Sequence, residues 1–327
     1  MTGASLEVIS ACCRRLKHLH LQGVYLGTSV SLAPLPKLEL LNLSHCGDVS
    51  DELIQQFVEQ SPCLTELTLV SCYSVTDKSL QSVLAALNLR HLHAAGMAWH
   101  GDSLGEAVTA STISNPLGYP YPDINQSSHQ ASLLESSHDA GSVPVVSLAV
   151  TTSCKLESLV LRRSRSTTLQ GIQTIIQSVS GGLISVDFCG LAAVNDDVVT
   201  VLCRRNPSLT TLLLCGTSIT SDSIAYICNQ SRIHHFDVTD CDAVDVVIAL
   251  DGIKAAATTN TAVQACWLGG GRHQYTATRL FAISELLHAM STHNIKVYVT
   301  EPGSARLGAS ACAAFGRWST LRISTMH

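Results

Sequence analysis

Aromatic residues are scarce in this chain: Phe, Trp and Tyr make up 5% of its 327 residues, although 46% are hydrophobic. A single thick core would need more large rings to fill it, so the composition favours many thin layers of small and medium aliphatics. Positive charge is also short. Lys and Arg total 20 against 25 Asp and Glu, for a formal net charge of -5, which leaves no basic footprint for nucleic acid or anionic lipid. No stretch approaches the roughly 18 uninterrupted apolar residues of a spanning helix, and "MTGASLEVISACCRRL" lacks the basic, apolar, small-residue order of a secretory signal. The expectation is a cytoplasmic or nuclear protein with no nucleic-acid and no membrane partner. CxxC pairs are missing too. The 13 cysteines are odd in number and many recur at repeat positions, which favours reduced thiols acting as small hydrophobes over disulfides or structural zinc.

What the chain does have is a period. L-x-x-L-x-L units, taken from their first apolar residue, start at Leu16, Leu38, Leu64, Leu89, Leu156, Leu183, Leu209 and Ile233, with successive differences of 22, 26, 25, 67, 27, 26 and 24. Weaker units follow at Val263, near Ile295 and at Trp318. Periods of roughly 20 to 29 residues on such a strand pattern mark leucine-rich repeats. The expected fold is therefore α/β, a leucine-rich-repeat solenoid: a curved horseshoe with parallel strands on the concave face and helices on the convex face. Residues 1–327 read as one array of about ten units, with residues 251–327 as degenerate repeats or a C-terminal cap.

Within a unit, the residues three and five beyond the origin point the same way from an extended strand and bury between layers; Leu41 with Leu43 and Leu67 with Leu69 are such pairs. Eight beyond the origin the chain turns inward, and Cys46, Cys72 and Cys241 fit a narrow interior slot. A short outer helix is then expected, capped by Ser50, Thr76, Asn195 or Thr220 with an Asp nearby. Leu80, Val83, Leu84 and Leu87 recur behind the cap at helical spacing, as do Ile224, Ile227 and Cys228. "QSPCL" and "RNPSL" stop the helix and feed the next strand. The interval of 67 exceeds one unit, and its excess, 103–144, is rich in Ser, Pro, Gly and Asn. It reads as a flexible insertion within one repeat, with a partner-binding or phosphorylated segment around Tyr119 and Tyr121 as the competing reading.

Residues 38–53 and 64–80 closely match "L-x-x-L-x-L-x-x-C-x-x-V/I-T-D-x-x-L"; the units at Leu183 and Leu209 match with shifts, Cys189 and Cys215 lying two residues early. On these residues the chain resembles the cysteine-containing class of leucine-rich repeats, and so the repeat region of F-box/LRR proteins. That resemblance implies target recognition for an SCF-type ubiquitin ligase, in ubiquitin-dependent protein catabolism. Repeat material begins by Leu6 and leaves no space for an F-box, so adaptor binding is expected only through a region not present in this chain. Neither end shows a polar-faced closing unit, which leaves two expectations, a fragment or a divergent cap near the C-terminus. The alternative function is a scaffold or inhibitor of the leucine-rich class with no ligase link.

Residues two, four and six beyond each origin should face the concave side, where arrays of this kind bind protein surfaces. The candidate contacts for a target protein are His18, His20, Glu66, His91, His93, Arg162, Asp187, Leu213, His235, Asp237 and Trp267. Trp267, Arg162, Leu213 and His235 are large enough to anchor a partner; Asp237, Asp187 and Glu66 set the charge. The H-x-H pairs His18/His20 and His91/His93 lie three repeats apart, about 4.8 Å per strand, too far to share one metal ion. His235 with Asp237 lacks a nucleophile elbow or oxyanion loop, and "GGGRHQY" from Gly269 lacks the P-loop Lys-Ser/Thr. The expectation is a protein that is not an enzyme, with no cofactor and no metal.

Overall fold

Each apolar pair spaced two apart is a strand too short to bury its own leucines, and the units solve this by stacking side by side. The computed structural model describes residues 2–97, apart from 28, 29, 85 and 87, and residues 155–300, apart from 165, 166, 180, 231, 259–261, 271–276 and 291–294. The strands are β1 (His18–His20), β2 (Leu40–Asn42), β3 (Glu66–Val70), β4 (His91–Ala95), β5 (Ser158–Val160), β6 (Ser185–Asp187), β7 (Thr211–Leu213), β8 (His235–Asp237), β9 (Ala265–Gly269) and β10 (Lys296–Thr300). They form one 10-stranded sheet in chain order, and every neighbouring pair is parallel, from Leu19 opposite Leu41 to Val297 opposite Cys266. With helices α1 (Gly3–Cys12), α2 (Asp51–Gln60), α3 (Asp77–Leu84), α4 (Leu169–Ser178), α5 (Asp196–Arg205), α6 (Ser221–Cys228), α7 (Val246–Thr258) and α8 (Ala277–Met290), this is the α/β leucine-rich-repeat solenoid.

The core is the layer between sheet and helices. Leu41, Leu43, Leu67, Leu69, Leu159, Val186, Leu212, Phe236 and Cys266 bury from the strands against Leu80, Val83, Ile172, Ile175, Val198, Leu202, Ile224 and Ile227 from the helices. Phe57, Phe188 and Phe236 are the largest fully buried side chains. Each cysteine of the inner slot gives its thiol hydrogen to a carbonyl of the unit before: Cys46 to Leu21 at 2.8 Å, Cys72 to Leu43 at 3.0 Å, Cys241 to Leu214 at 3.1 Å. In these three units the slot is filled by a side chain that both packs and donates, while Met97 and Leu191 fill it by packing alone.

The turn into that slot has one backbone device. Residue seven beyond the origin is left-handed in nine units: Gly23, His45, Ser71, Gly96, Arg163, Gly190, Gly216, Asp240 and Gly270, with φ between 53° and 76°. Its N–H donates to the carbonyl before the matching residue of the next unit, as from His45 to Val70 at 2.7 Å, Gly96 to Arg162 at 2.8 Å and Gly190 to Cys215 at 2.7 Å. The ladder therefore runs on past the strands, and it joins β4 to β5 with the long interval between them.

The caps do more than close their own helices. Ser50 and Asn195 accept from Leu53 and Val198 N–H, at 3.4 and 3.1 Å. The Asp that follows reaches sideways instead: Asp51 accepts from the backbone and hydroxyl of Thr76, at 2.7 and 2.5 Å, and Asp196 from those of Thr220, at 2.9 and 2.8 Å.

Unit one departs from the expected plan. Between β1 and β2 the described residues hold no helix. Its 22-residue spacing and Pro34 and Pro36 leave an irregular segment whose amides are taken by side chains of the flanking helices: Ser31 by Glu7 at 2.8 Å, Leu32 by Gln56 at 2.9 Å, Ala33 by Ser10 at 3.0 Å. The proposed insertion at 103–144, the unit at Trp318, Leu87 and most of "GGGRHQY" lie outside the described residues. Among the described residues no helix is long and apolar enough to cross a membrane.

Candidate functional site

The helices cover one face of the sheet, and the side chains even-numbered from each origin stand on the other. Pairing across the strands sets them in two lateral rows. The first row carries the predicted contacts His18, Glu66, His91 and His235 and ends at Lys296; the second carries His20, His93, Asp187, Leu213, Asp237 and Trp267 and ends at Tyr298. A third row, at the strand ends, holds Arg162.

The rows differ along their length. In the amino-terminal third His18, His20, Glu66, His91 and His93 are exposed, and His91 stands directly opposite Glu66. Desolvation by the side chains around it, with the Arg162 charge second, lowers the affinity of His93 for a proton. The two H-x-H pairs are on β1 and β4, three strands apart. Among the described residues no group of three or more His, Cys, Asp and Glu side chains is disposed to hold a metal ion.

In the middle the face is largely self-covered. Asp187 is 4% exposed; its Oδ2 pairs with Arg162 Nε, and its Oδ1 accepts from Cys189 N–H at 3.1 Å. Leu213, flanked by Asp187 and Asp237 on the adjoining strands, keeps 7% of its surface. Asp237 directs Oδ1 to the backbone and hydroxyl of Thr239, at 2.9 and 2.8 Å. Burial is the main cause raising its pKa, to about 6, against those two hydrogen bonds. His235, on the same strand, meets His234 edge-on at 6.3 Å, and burial lowers its pKa. The Asp187 charge is thus matched inside the protein, and neither Leu213 nor Asp187 offers a partner much area.

At the carboxy-terminal end Trp267 and Tyr298, opposed on β9 and β10, stack with ring centroids 5.1 Å apart and planes 9° from parallel. Tyr298 did not enter the sequence-based list, because the unit near Ile295 has no leucine pattern; its signal is only the alternation of Val297 and Val299 around it. Cys189 and Cys215, two residues ahead of the inner slot, stand on this same face.

No protein-family model matches the chain, and no curated protein matches it. Among solved structures it is similar to one described as the crystal structure of Rad7 and Elc1 complex in yeast, at 14% identity and a TM-score of 0.37 over 81% of this chain and 69% of that chain.

Proposed function

We propose that the chain is a non-catalytic recognition array whose sheet face opposite the described helices holds another protein, and that it serves as the target-recognition part of an SCF-type ubiquitin ligase. The observation that carries the binding half of this reading is the pair of unbroken side-chain rows across all 10 strands. At about 4.8 Å per strand they extend for roughly 40 Å, enough for the roughly 800 Å² per partner of a standard interface. Energy should concentrate in the stacked Trp267 and Tyr298, since large rings that desolvate on contact dominate such interfaces. The exposed His18, His20, Glu66, His91 and His93 supply the polar part. The ligase half is supported by the resemblance of residues 38–53 and 64–80 to the cysteine-containing repeat.

The test is capture of the endogenous protein from its own cells, with its co-purifying proteins and their ubiquitin linkage quantified for wild type and for Trp267→Ala. Cullin and adaptor retained in both, with a ubiquitin-modified target lost in the variant, is the expected result. A target captured with neither cullin nor ubiquitin would replace the ligase half by a scaffold or inhibitor role. A target bound equally by Trp267→Ala and by a His91→Ala/His93→Ala variant would remove this face as the binding surface.

A further inference from the structure

Cys189 and Cys215 differ from the cysteines of the inner slot in where they point and in what they meet. Both lie six residues beyond their origins, on the sheet face opposite the described helices. The parallel ladder that sets Asp187 opposite Leu213 continues through Phe188 N–H to Leu213 O at 2.9 Å and Gly190 N–H to Cys215 O at 2.7 Å. Cys189 therefore stands directly across from Cys215. Residues so opposed have Cα atoms about 4.8 Å apart, inside the range of about 4.4 to 6.8 Å that a disulfide spans. The two thiols are close enough to influence each other's ionisation, whereas Cys46, Cys72 and Cys241 reach backbone carbonyls. Cys189 is almost covered, whereas Cys215 is only half-buried.

We propose that Cys189 and Cys215 are a redox-active dithiol, closed by a peroxide to a disulfide that bridges β6 and β7. Cys215, the more open thiol, reacts first. Its sulfur displaces water from hydrogen peroxide and becomes a sulfenic acid; the Cys189 sulfur then attacks that sulfur, the S–S bond forms, and the sulfenic oxygen leaves as a second water. Two thiols are oxidised by two electrons and one peroxide is reduced to two waters. The neighbouring Cys189 thiol lowers the Cys215 pKa, against burial and the nearby Asp237 and Asp240 charges, while the Cys215 contact, with burial second, pushes Cys189 up, so the more open member is the one that ionises more readily. Asp240 Oδ2, 3.9 Å from Cys215 Sγ, accepts from that thiol while it is protonated, and its charge opposes the ionisation.

The experiment treats the full chain with hydrogen peroxide, alkylates the remaining thiols, and maps the peptides by mass. A Cys189–Cys215 cross-linked peptide that dithiothreitol removes, formed before sulfinic acid appears at Cys215, is the expected result. In Cys189→Ser the Cys215 sulfur should run on to sulfinic acid at least tenfold faster than in wild type. As a probe that needs no oxidation, phenylarsine oxide should bind one equivalent to a Cys12→Ser/Cys13→Ser background and none after a further Cys215→Ser. Sulfinic acid at Cys215 at equal rates in wild type and Cys189→Ser, or peroxide leaving both thiols alkylatable, would overturn the proposal. The wild-type peptide map decides it even if a serine variant fails to fold.

Discussion

Cutting the tie between Arg162 and Asp187 should cost about 3 kcal/mol. The pair joins β6 to the turn after β5, with side-chain exposures of 18% for Arg162 and 6% for Asp187. Removing one partner of a buried pair costs about 3 to 5 kcal/mol, because the other charge is left without compensation. The lower end applies here, since water can enter where the guanidinium stood. Arg162→Met keeps the aliphatic stem and removes only the charge, and Asp187→Asn keeps the acceptor for Cys189 N–H. Together with the double variant they make a cycle whose coupling should fall at about 1.5 to 3 kcal/mol. The assay is urea unfolding, combined with hydrogen exchange at Leu161 and Phe188, whose amides donate to Asp187 O and Leu213 O. In a repeat array the loss should centre on these units. A coupling below about 0.5 kcal/mol, or an Arg162→Met variant as stable as wild type, would refute the argument. Arg162 is also a predicted partner contact, so a single variant that loses binding could do so by either route. The double variant, which removes both charges and leaves no orphan, is the one to test against a target.

Leu67→Ala, in the fully packed strand layer, should cost about 2 to 5 kcal/mol by urea unfolding, and an unchanged profile would contradict the register. Ser71→Gly should stabilise by about 1 kcal/mol, because the left-handed backbone at φ 57° penalises any side chain; a lower urea midpoint would show that the hydroxyl matters more than the strain. The Asp237 carboxyl, raised to about 6 by burial, makes the folded state bind a proton that the unfolded state releases at about 3.9. Its ionisation therefore opposes folding above pH 6. Stability should rise by up to about 3 kcal/mol as pH falls from 7.5 to 4, and an Asp237→Asn variant should lose that part of the rise. Identical pH profiles for the two proteins would show that Asp237 titrates as an ordinary carboxylate.

Which side chains share a face was legible in the sequence, because strand alternation has a period of two and Leu41/Leu43 and Leu67/Leu69 announce it without reference to neighbours. The left-handed turn was not, although it recurs in every unit from Gly23 to Gly270. Glycine marks five of the nine places, but His45, Ser71, Arg163 and Asp240 hold the rest, so the signal is a position and not a residue type. The missing helix of unit one was not legible: its spacing of 22 passed as an ordinary interval, and the side chains that replace the helix, Glu7, Ser10 and Gln56, belong to other units.

The same limit separates face from site. Asp51 and Asp196 read locally as caps, and only the next unit, with Thr76 or Thr220 in reach, turns them into clips between repeats. Asp187 and Leu213 read as exposed contacts, and it is Arg162 and Asp237 on the flanking units that cover or match them. In a solenoid each residue's immediate partner lies one unit away, about 25 residues along the chain. Sequence-local rules therefore fix which face a side chain takes, while lateral pairs fix what it presents there. Cys189 and Cys215 are the sharpest case: each alone is a cysteine two places out of pattern, and the chemistry proposed for them exists only because both units shift by the same two residues.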